Sequence, residues 1–244
     1  MMSEPYSSPA MRIATGETVR PGGRSLTRRA LDFCAFAPGA RVLDIGCGSG
    51  ATVRLMIEEY GLDASGIDPS PAMISLGTSA HPSLPIGPGD AMAPPSGAKE
   101  LDGAIMECAL SITPYPGRVL REIHRILKTK GRLILTDMYL LDGTKGLERS
   151  EAATAVLCLQ NAASRPAIEE MLATAGFRVL LWEDHLPHVK QLGAEIIMKF
   201  GSLSGFLAEA SGSVQTDERQ VGESTASPAS FRGISYYLAV AEKV

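Results

Sequence analysis

Cysteine is sparse and unpaired in this chain. Cys34, Cys47, Cys108 and Cys158 are widely spaced and form no C-x-x-C pair. That pattern supports neither a disulfide framework nor a structural zinc site, so no metal is expected. Long apolar runs are missing too, since none approaches the roughly 18 residues needed to span a bilayer. The first residues, MMSEPYSSPAMRIATGE, lack the apolar core of a signal peptide, and a reducing cytoplasm is the expected setting. Nor is there a basic excess. Lys and Arg total 23 against 27 Asp and Glu, for a formal net charge of −4. A protein that neutralises phosphates needs a basic surface, so neither nucleic acid nor membrane is expected as a partner. Arg12, Arg20, Arg24, Arg28 and Arg29 make the N-terminal stretch locally basic, which reads as a solvated helix face with an arm.

What remains is a 244-residue chain of ordinary globular composition, 45% apolar and 20% charged, long enough for one medium domain with additions. Its patterning alternates strands and helices. Ser25 to Phe36 reads as a helix with Ser25 as N-cap, closed by Pro38-Gly39, and a first strand begins near Arg41. A helix over 51–60 precedes a second strand at Ala64–Asp68, and Ser70 can cap a third helix reaching Leu76. Leu84–Ile86 and Leu101–Leu110 are the third and fourth strands. Val119, Leu120, Ile123, Ile126 and Leu127 recur at helical spacing, with Lys130-Gly131 as the helix stop before a fifth strand, Arg132–Tyr139. A mixed segment over 140–164 leads to a helix with Pro166 in its first turn, then to a sixth strand, Phe177–Glu183. Residues 188–209 read as helical, 211–233 as a polar loop, and Ile234–Val244 as a seventh strand. Such alternation predicts a mostly parallel sheet covered on both faces.

The most informative stretch is Val42–Gly50, VLDIGCGSG. A buried strand running through a glycine turn into a helix N-terminus brings backbone close to a nucleotide-like ligand. Gly46-x-Gly48-x-x-Ala51 formally satisfies a dinucleotide fingerprint, and Asp68 lies where an acid meets ribose hydroxyls in NAD and in S-adenosylmethionine (SAM) alike. Asp44, two residues ahead of the first glycine, separates them. Its carboxylate can receive the ammonium of an amino-acid moiety or organise the turn, whereas it would repel a pyrophosphate. Asp90, in Gly89-Asp90-Ala91, can bond an adenine amino group.

At these residues the chain resembles the class I SAM-dependent methyltransferases. VLDIGCGSG looks like their first motif, GIDPSPAMI their second and GDAMAPP their third; LDGAIMECAL and LREIHRILKTKGRLILTDMY are similar to their fourth- and fifth-strand blocks. The resemblance covers about Leu31 to Tyr139. It implies an α/β fold, Rossmann-like, with a seven-stranded, mostly parallel sheet, helices on both faces and a reversed last strand. By it, an N-terminal arm and lid helix over 1–37 precede a methyltransferase domain over 38–244, with 140–165 and 186–233 as substrate-side additions. It further implies that Asp44, Gly46, Cys47, Gly48 and Gly50 line the methionine side of SAM. Asp68 would hold the ribose, Pro69 and Met73 an apolar wall, and Asp90 and Ala91 the adenine. Glu107 and Cys108 would lie where the fourth strand opens toward the reacting centre.

Methyl transfer from a sulfonium mainly needs positioning, so no catalytic dyad need be visible. Acceptor-side candidates are Glu107, Cys108, Ser111, Asp137, Tyr139, and Thr18 and Arg20 of the arm. A narrower resemblance touches arsenite methyltransferases: MECALSITP carries Cys108, and VLCLQNAASRPAIEEMLATAGF places Cys158-Leu159 on their arsenic-binding cysteine-leucine pair. This chain departs from their pattern, because Cys34 sits in a different local context and no cysteine follows Cys158. A thiol or metalloid acceptor is therefore one option among small molecules. Cys47, Cys108 and Cys158 can be packing residues, and His185 and His188, around Leu186-Pro187, are expected at the surface, with the pocket mouth as the other position open to them. An NAD-dependent oxidoreductase on the same scaffold, or a SAM-binding protein without catalysis, are the alternatives, and oligomeric state is not indicated.

Overall fold

The computed structural model describes residues 18, 20–141, 161–202, 205, 206, 209 and 233–244. The expectations for Cys158 and for the loop over 211–232 lie outside these residues, as does most of the arm. Seven strands form one sheet: β1 (Arg41–Ile45), β2 (Asp63–Asp68), β3 (Ile86–Pro88), β4 (Leu101–Glu107), β5 (Leu127–Leu140), β6 (Phe177–Asp184) and β7 (Ile234–Lys243). Their order is β3-β2-β1-β4-β5-β7-β6, with β7 antiparallel to both neighbours and the other pairs parallel. Helices α1 (Gly23–Cys34), α2 (Ala51–Tyr60), α3 (Pro71–Ala80), α4 (Pro116–Ile126), α5 (Arg165–Thr174) and α6 (Leu186–Phe200) surround it. Among the described residues no helix is long and apolar enough to cross a membrane.

Each element follows from local chemistry. Central strands of a parallel sheet are covered on both faces and so read as continuous apolar runs. Val42, Leu43 and Ile45 of β1 and Ala104, Ile105 and Met106 of β4 are almost wholly buried. In α4, Val119, Leu120, Ile123 and Ile126 are sealed against the sheet while Arg118, Arg121 and Arg125 face outward, and Pro116 starts the helix where no amide donor is needed. Ser70 caps α3 by accepting the Met73 N–H at 3.3 Å. The strand order reverses between β1 and β4, and a crevice opens at the C-terminal ends of strands at such a switch point.

Four local expectations need correction. Ser25 does not cap α1. The helix begins two residues earlier, with Gly22 as N-cap, and the Ser25 hydroxyl donates to the Gly22 carbonyl at 2.6 Å. The third strand lies at Ile86–Pro88, two residues later than expected. The fourth strand ends at Glu107, because Cys108 turns to a φ of 53° and leads into a 3-10 turn at Leu110–Ile112. Lys130-Gly131 does not stop α4; it lies in an irregular stretch of β5, between the Leu101–Leu127 and Gly103–Arg132 pairs. The helix ends at Ile126 because Leu127 is already extended. The last carbonyls there are met by a lysine from the seventh strand: Lys243 Nζ donates to His124 O at 2.6 Å and Leu127 O at 2.8 Å.

Candidate functional site

The glycine turn after β1 is fastened to the end of β2. Gly46 and Cys47 both donate their N–H to Ile67 O, at 2.8 and 3.0 Å. Gly46, Gly48 and Gly50 all have positive φ, which admits this tight return without a side-chain penalty. Asp68 then clamps the turn to the start of α3: one oxygen accepts the Gly48 N–H at 2.8 Å, the other the Ser70 N–H at 2.8 Å. Two glycines permit the close packing behind it. A Cβ at Gly66 would sit 2.7 Å from Cys47 Cβ, and one at Gly77 would press into the Ser49 carbonyl.

A cleft of about 530 Å³ opens over this turn. Asp44, Gly46, Cys47, Gly48, Asp68, Pro69, Met73, Asp90, Ala91, Glu107 and Cys108 all line it. Gly50 does not. It caps α2 behind the turn, where a side chain would strike Leu84 and Ile86. Asp90 closes a small turn by accepting the Met92 N–H at 2.8 Å. Unanticipated lining comes from Thr52, Met92, Ile112, Thr113, Pro114 and Val119, supplied by α2, the loop after β3, the β4 exit and α4.

The floor of the cleft carries buried charge. Asp44 is 2% exposed and makes no side-chain hydrogen bond among the described residues, so its carboxyl is available to the cleft. Burial pushes that carboxyl well above the usual carboxylate range, and the nearby charges of Glu107 and Asp68 add to this while Arg20 opposes it. Glu107 is engaged inward. It pairs with Arg20 Nη2 at 2.7 Å and accepts the hydroxyls of Thr27 and Thr52 at 2.9 and 2.8 Å. Arg20 is therefore a buried counter-ion reaching in from the N-terminal segment, not part of a solvated basic face. Its Nε is buried with no hydrogen-bond partner among the described residues.

The remaining candidates separate. Cys108 lines the cleft; Ser111 and Tyr139 do not. Ser111 is held by Asp137, which accepts its N–H at 2.8 Å and its hydroxyl at 2.7 Å, so the pair fixes the turn that carries Ile112 and Thr113 into the cleft. Burial raises Asp137 to about 6 against those bonds. Tyr139 donates to Asp184 at 2.8 Å and packs edge-on against Trp182 and Tyr237, which accounts for it as core. The Cys47 thiol sits in the Gly66–Val53 contact, and burial pushes its pKa upward, so it packs and does not ligate. Among the described residues no group of three or more His, Cys, Asp or Glu could hold a metal ion.

Three comparisons bear on this geometry. A family model described as a methyltransferase domain matches residues 21–181. An O-methyltransferase of Aspergillus sclerotiorum is 24% identical over 99% of this chain and 87% of its own length. An arsenite methyltransferase of Halobacterium salinarum is 26% identical over 61% of this chain, which spans only 40% of that protein. Among solved structures, the [4+2]-cyclase SpnF superposes with a TM-score of 0.76 at 19% identity, covering 98% of this chain and 94% of that one. A phosphoethanolamine N-methyltransferase of Haemonchus contortus gives 0.75 at 19% identity, covering 96% and 56%. At such identities the two structures share the fold.

Proposed function

The chain belongs to the methyltransferase domain family, and we propose on that premise that it transfers a methyl group from SAM to a small-molecule acceptor. The observation that carries this reading is Asp44, a buried carboxyl with no side-chain hydrogen bond among the described residues, facing a cleft built on the glycine turn. An ammonium group supplies what Asp44 lacks, whereas a pyrophosphate placed beside that carboxyl would find no donor in it, which argues against NAD. Asp68, fixed in place by the Gly48 and Ser70 amides, lines the cleft with a carboxylate to which ribose hydroxyls can donate. Ala91, Met92, Ala109 and Val119 offer an apolar slot for a base, with Asp90 at its rim. The cleft volume falls within the usual range of roughly 300–1,000 Å³ for small-molecule sites.

When bound, SAM supplies an electrophilic methyl on a positively charged sulfur. The chain's part is to bind it, orient it and exclude water. A thiophilic acceptor would need two or three thiolates; of the two described cysteines lining the cleft, Cys47 is packed against Gly66 and Val53, which leaves Cys108, so other small molecules are favoured.

The test is calorimetric titration with S-adenosylhomocysteine (SAH) and with NAD, followed by conversion of SAM to SAH in the presence of small-molecule acceptors. SAH should bind and NAD should not. NAD binding without SAH binding would overturn the reading, and SAH binding with no turnover across a broad panel would favour a non-catalytic role. The fold alone does not choose between these outcomes, since a cyclase shares it.

A further inference from the structure

A second cavity, of about 370 Å³, lies beside the cleft, between Thr18 and the stretch 20–25 on one side and helix α6 on the other. His188, Gln191, Glu195 and Lys199 line it from α6, at spacings that place them along one face of the helix. Thr18 and Arg20 line both this cavity and the cleft, so that pair of side chains borders the two spaces. Gly22 brings the segment hard against the helix. At its φ of 74° a Cβ would strike Leu26 and lie 3.2 Å from His188 Cδ2. His188, expected at the surface, is instead half-buried and stacked on His185 with ring centroids 5.5 Å apart. Its ring nitrogens make no hydrogen bond among the described residues.

We propose that this second cavity receives the methyl acceptor, that the acceptor presents a phenol- or enol-type hydroxyl, and that His188 takes the proton from it. The proposal rests on the methyl-transfer reading above and names its substrate class. The chemistry of the walls selects the nucleophile. An ammonium acceptor would need a free carboxylate, but Glu195 accepts from Gln191 at 2.9 Å and Glu107 is committed to Arg20, Thr27 and Thr52. A thiol ionises far more readily than a hydroxyl and depends less on a base, so it would make less use of the unbonded imidazole. A hydroxyl needs a base, and among the described residues lining the cavity His188 is the one whose ring nitrogens carry no hydrogen bond. Burial and the adjacent His185 hold the His188 imidazole below its usual pKa, so it stands unprotonated at neutral pH. The charged and titratable groups around it are His185 before α6, Glu195 and Lys199 on α6, and Arg20 opposite. In the transfer, the acceptor oxygen forms a bond to the methyl carbon as the sulfur–carbon bond breaks. The bonding pair passes to sulfur, and the hydroxyl proton passes to a His188 ring nitrogen. The sulfonium charge lost is matched by the imidazolium charge gained.

The experiment uses the full chain with 2,3-dihydroxynaphthalene and, as the amine of matching shape, 2,3-diaminonaphthalene. In the SAH complex, the diol should shift the His188 imidazole nitrogen resonances and the diamine should leave them in place. With SAM, the diol should be methylated. His188→Ala should lower its kcat by about 100-fold or more and remove the acidic limb of the pH profile, with SAH affinity unchanged. Gln191→Ala, a milder change on the same face, should raise KM for the diol while leaving kcat near that of the parent. Methylation of the diamine in preference to the diol would overturn the proposal, as would wild-type turnover by His188→Ala. So would an SAH-bound protein that neither methylates the diol nor shows the His188 shift. Failure of SAH to bind would overturn the methyl-transfer reading itself, and this one with it.

Discussion

Replacing Gly77 by alanine sets two magnitudes against each other. Gly77 lies inside α3, where alanine would ordinarily be preferred by about 1 kcal/mol because glycine sacrifices more backbone freedom. Against that gain, the new Cβ would press into the Ser49 carbonyl oxygen, with Ile86 Cδ1 at 2.7 Å and the Ser49 carbonyl carbon at 2.9 Å. The Ile86 methyl can rotate away, but the Ser49 carbonyl cannot. Its neighbour Gly48 is held by Asp68 at 2.8 Å, and Gly50 donates to Cys47 O at 2.9 Å. Helix α3 must therefore move, and overpacking of this kind costs about 1–3 kcal/mol. The clash should win, leaving the variant up to about 2 kcal/mol less stable. Because α3 carries Met73 into the cleft, the same displacement should weaken SAH binding about tenfold, equivalent to about 1.4 kcal/mol. Urea unfolding followed by circular dichroism gives the first number and titration calorimetry the second. Gly87→Ala is the control, since a Cβ there meets nothing within 4 Å, and its unfolding midpoint should not fall. A Gly77→Ala protein that is more stable than the parent and binds SAH equally well would refute the argument.

Removing Asp68 should weaken SAH by roughly 10- to 150-fold, the loss of charge-assisted hydrogen bonds worth about 1.5–3 kcal/mol. Asp68→Ala should also lose stability as the Gly48 and Ser70 amides lose their acceptor, and an unchanged dissociation constant in a folded variant would show the ribose assignment to be wrong. Arg20→Met strands Glu107 in the interior and should cost about 3–5 kcal/mol, whereas Arg20→Met with Glu107→Met should cost clearly less; additive losses in urea would sink the coupling. Asp137 has its pKa raised to about 6, so the native state holds a proton that the unfolded chain releases near pH 4. Its contribution is fully present below about pH 4 and declines by up to about 3 kcal/mol as pH rises to 6. Asp137→Asn should flatten the stability profile across that window, and a parallel profile would count against the assignment.

Much of the fold was legible because its signals are local. The apolar runs of β1, β4 and β5, the Ser70-Pro71 cap and the spacing of Val119, Ile123 and Ile126 each reflect burial within a single element. Failures fell where a distant residue supplies the partner. Lys130-Gly131 looked like a helix stop because Lys243, which meets the last carbonyls of α4, lies over a hundred residues away in sequence. Nor does the sequence around Tyr139, an acceptor-side candidate, announce its bond to Asp184, which closes across the sheet.

The same division holds at the site. By itself, the sequence determined that Asp44, Asp68 and Asp90 stand at the ends of three successive strands around a glycine turn, because strand, turn and cap are set by neighbouring residues. Only the tertiary structure decided what their surroundings do. It turned Glu107 from an open carboxylate into the partner of Arg20, Thr27 and Thr52, contributed by α1, α2 and the segment before α1. It locked Ser111 to Asp137 and brought His188 opposite Arg20. Buried charge and close packing depend on which elements meet, and the order β3-β2-β1-β4-β5-β7-β6 settles that only when the whole sheet has formed.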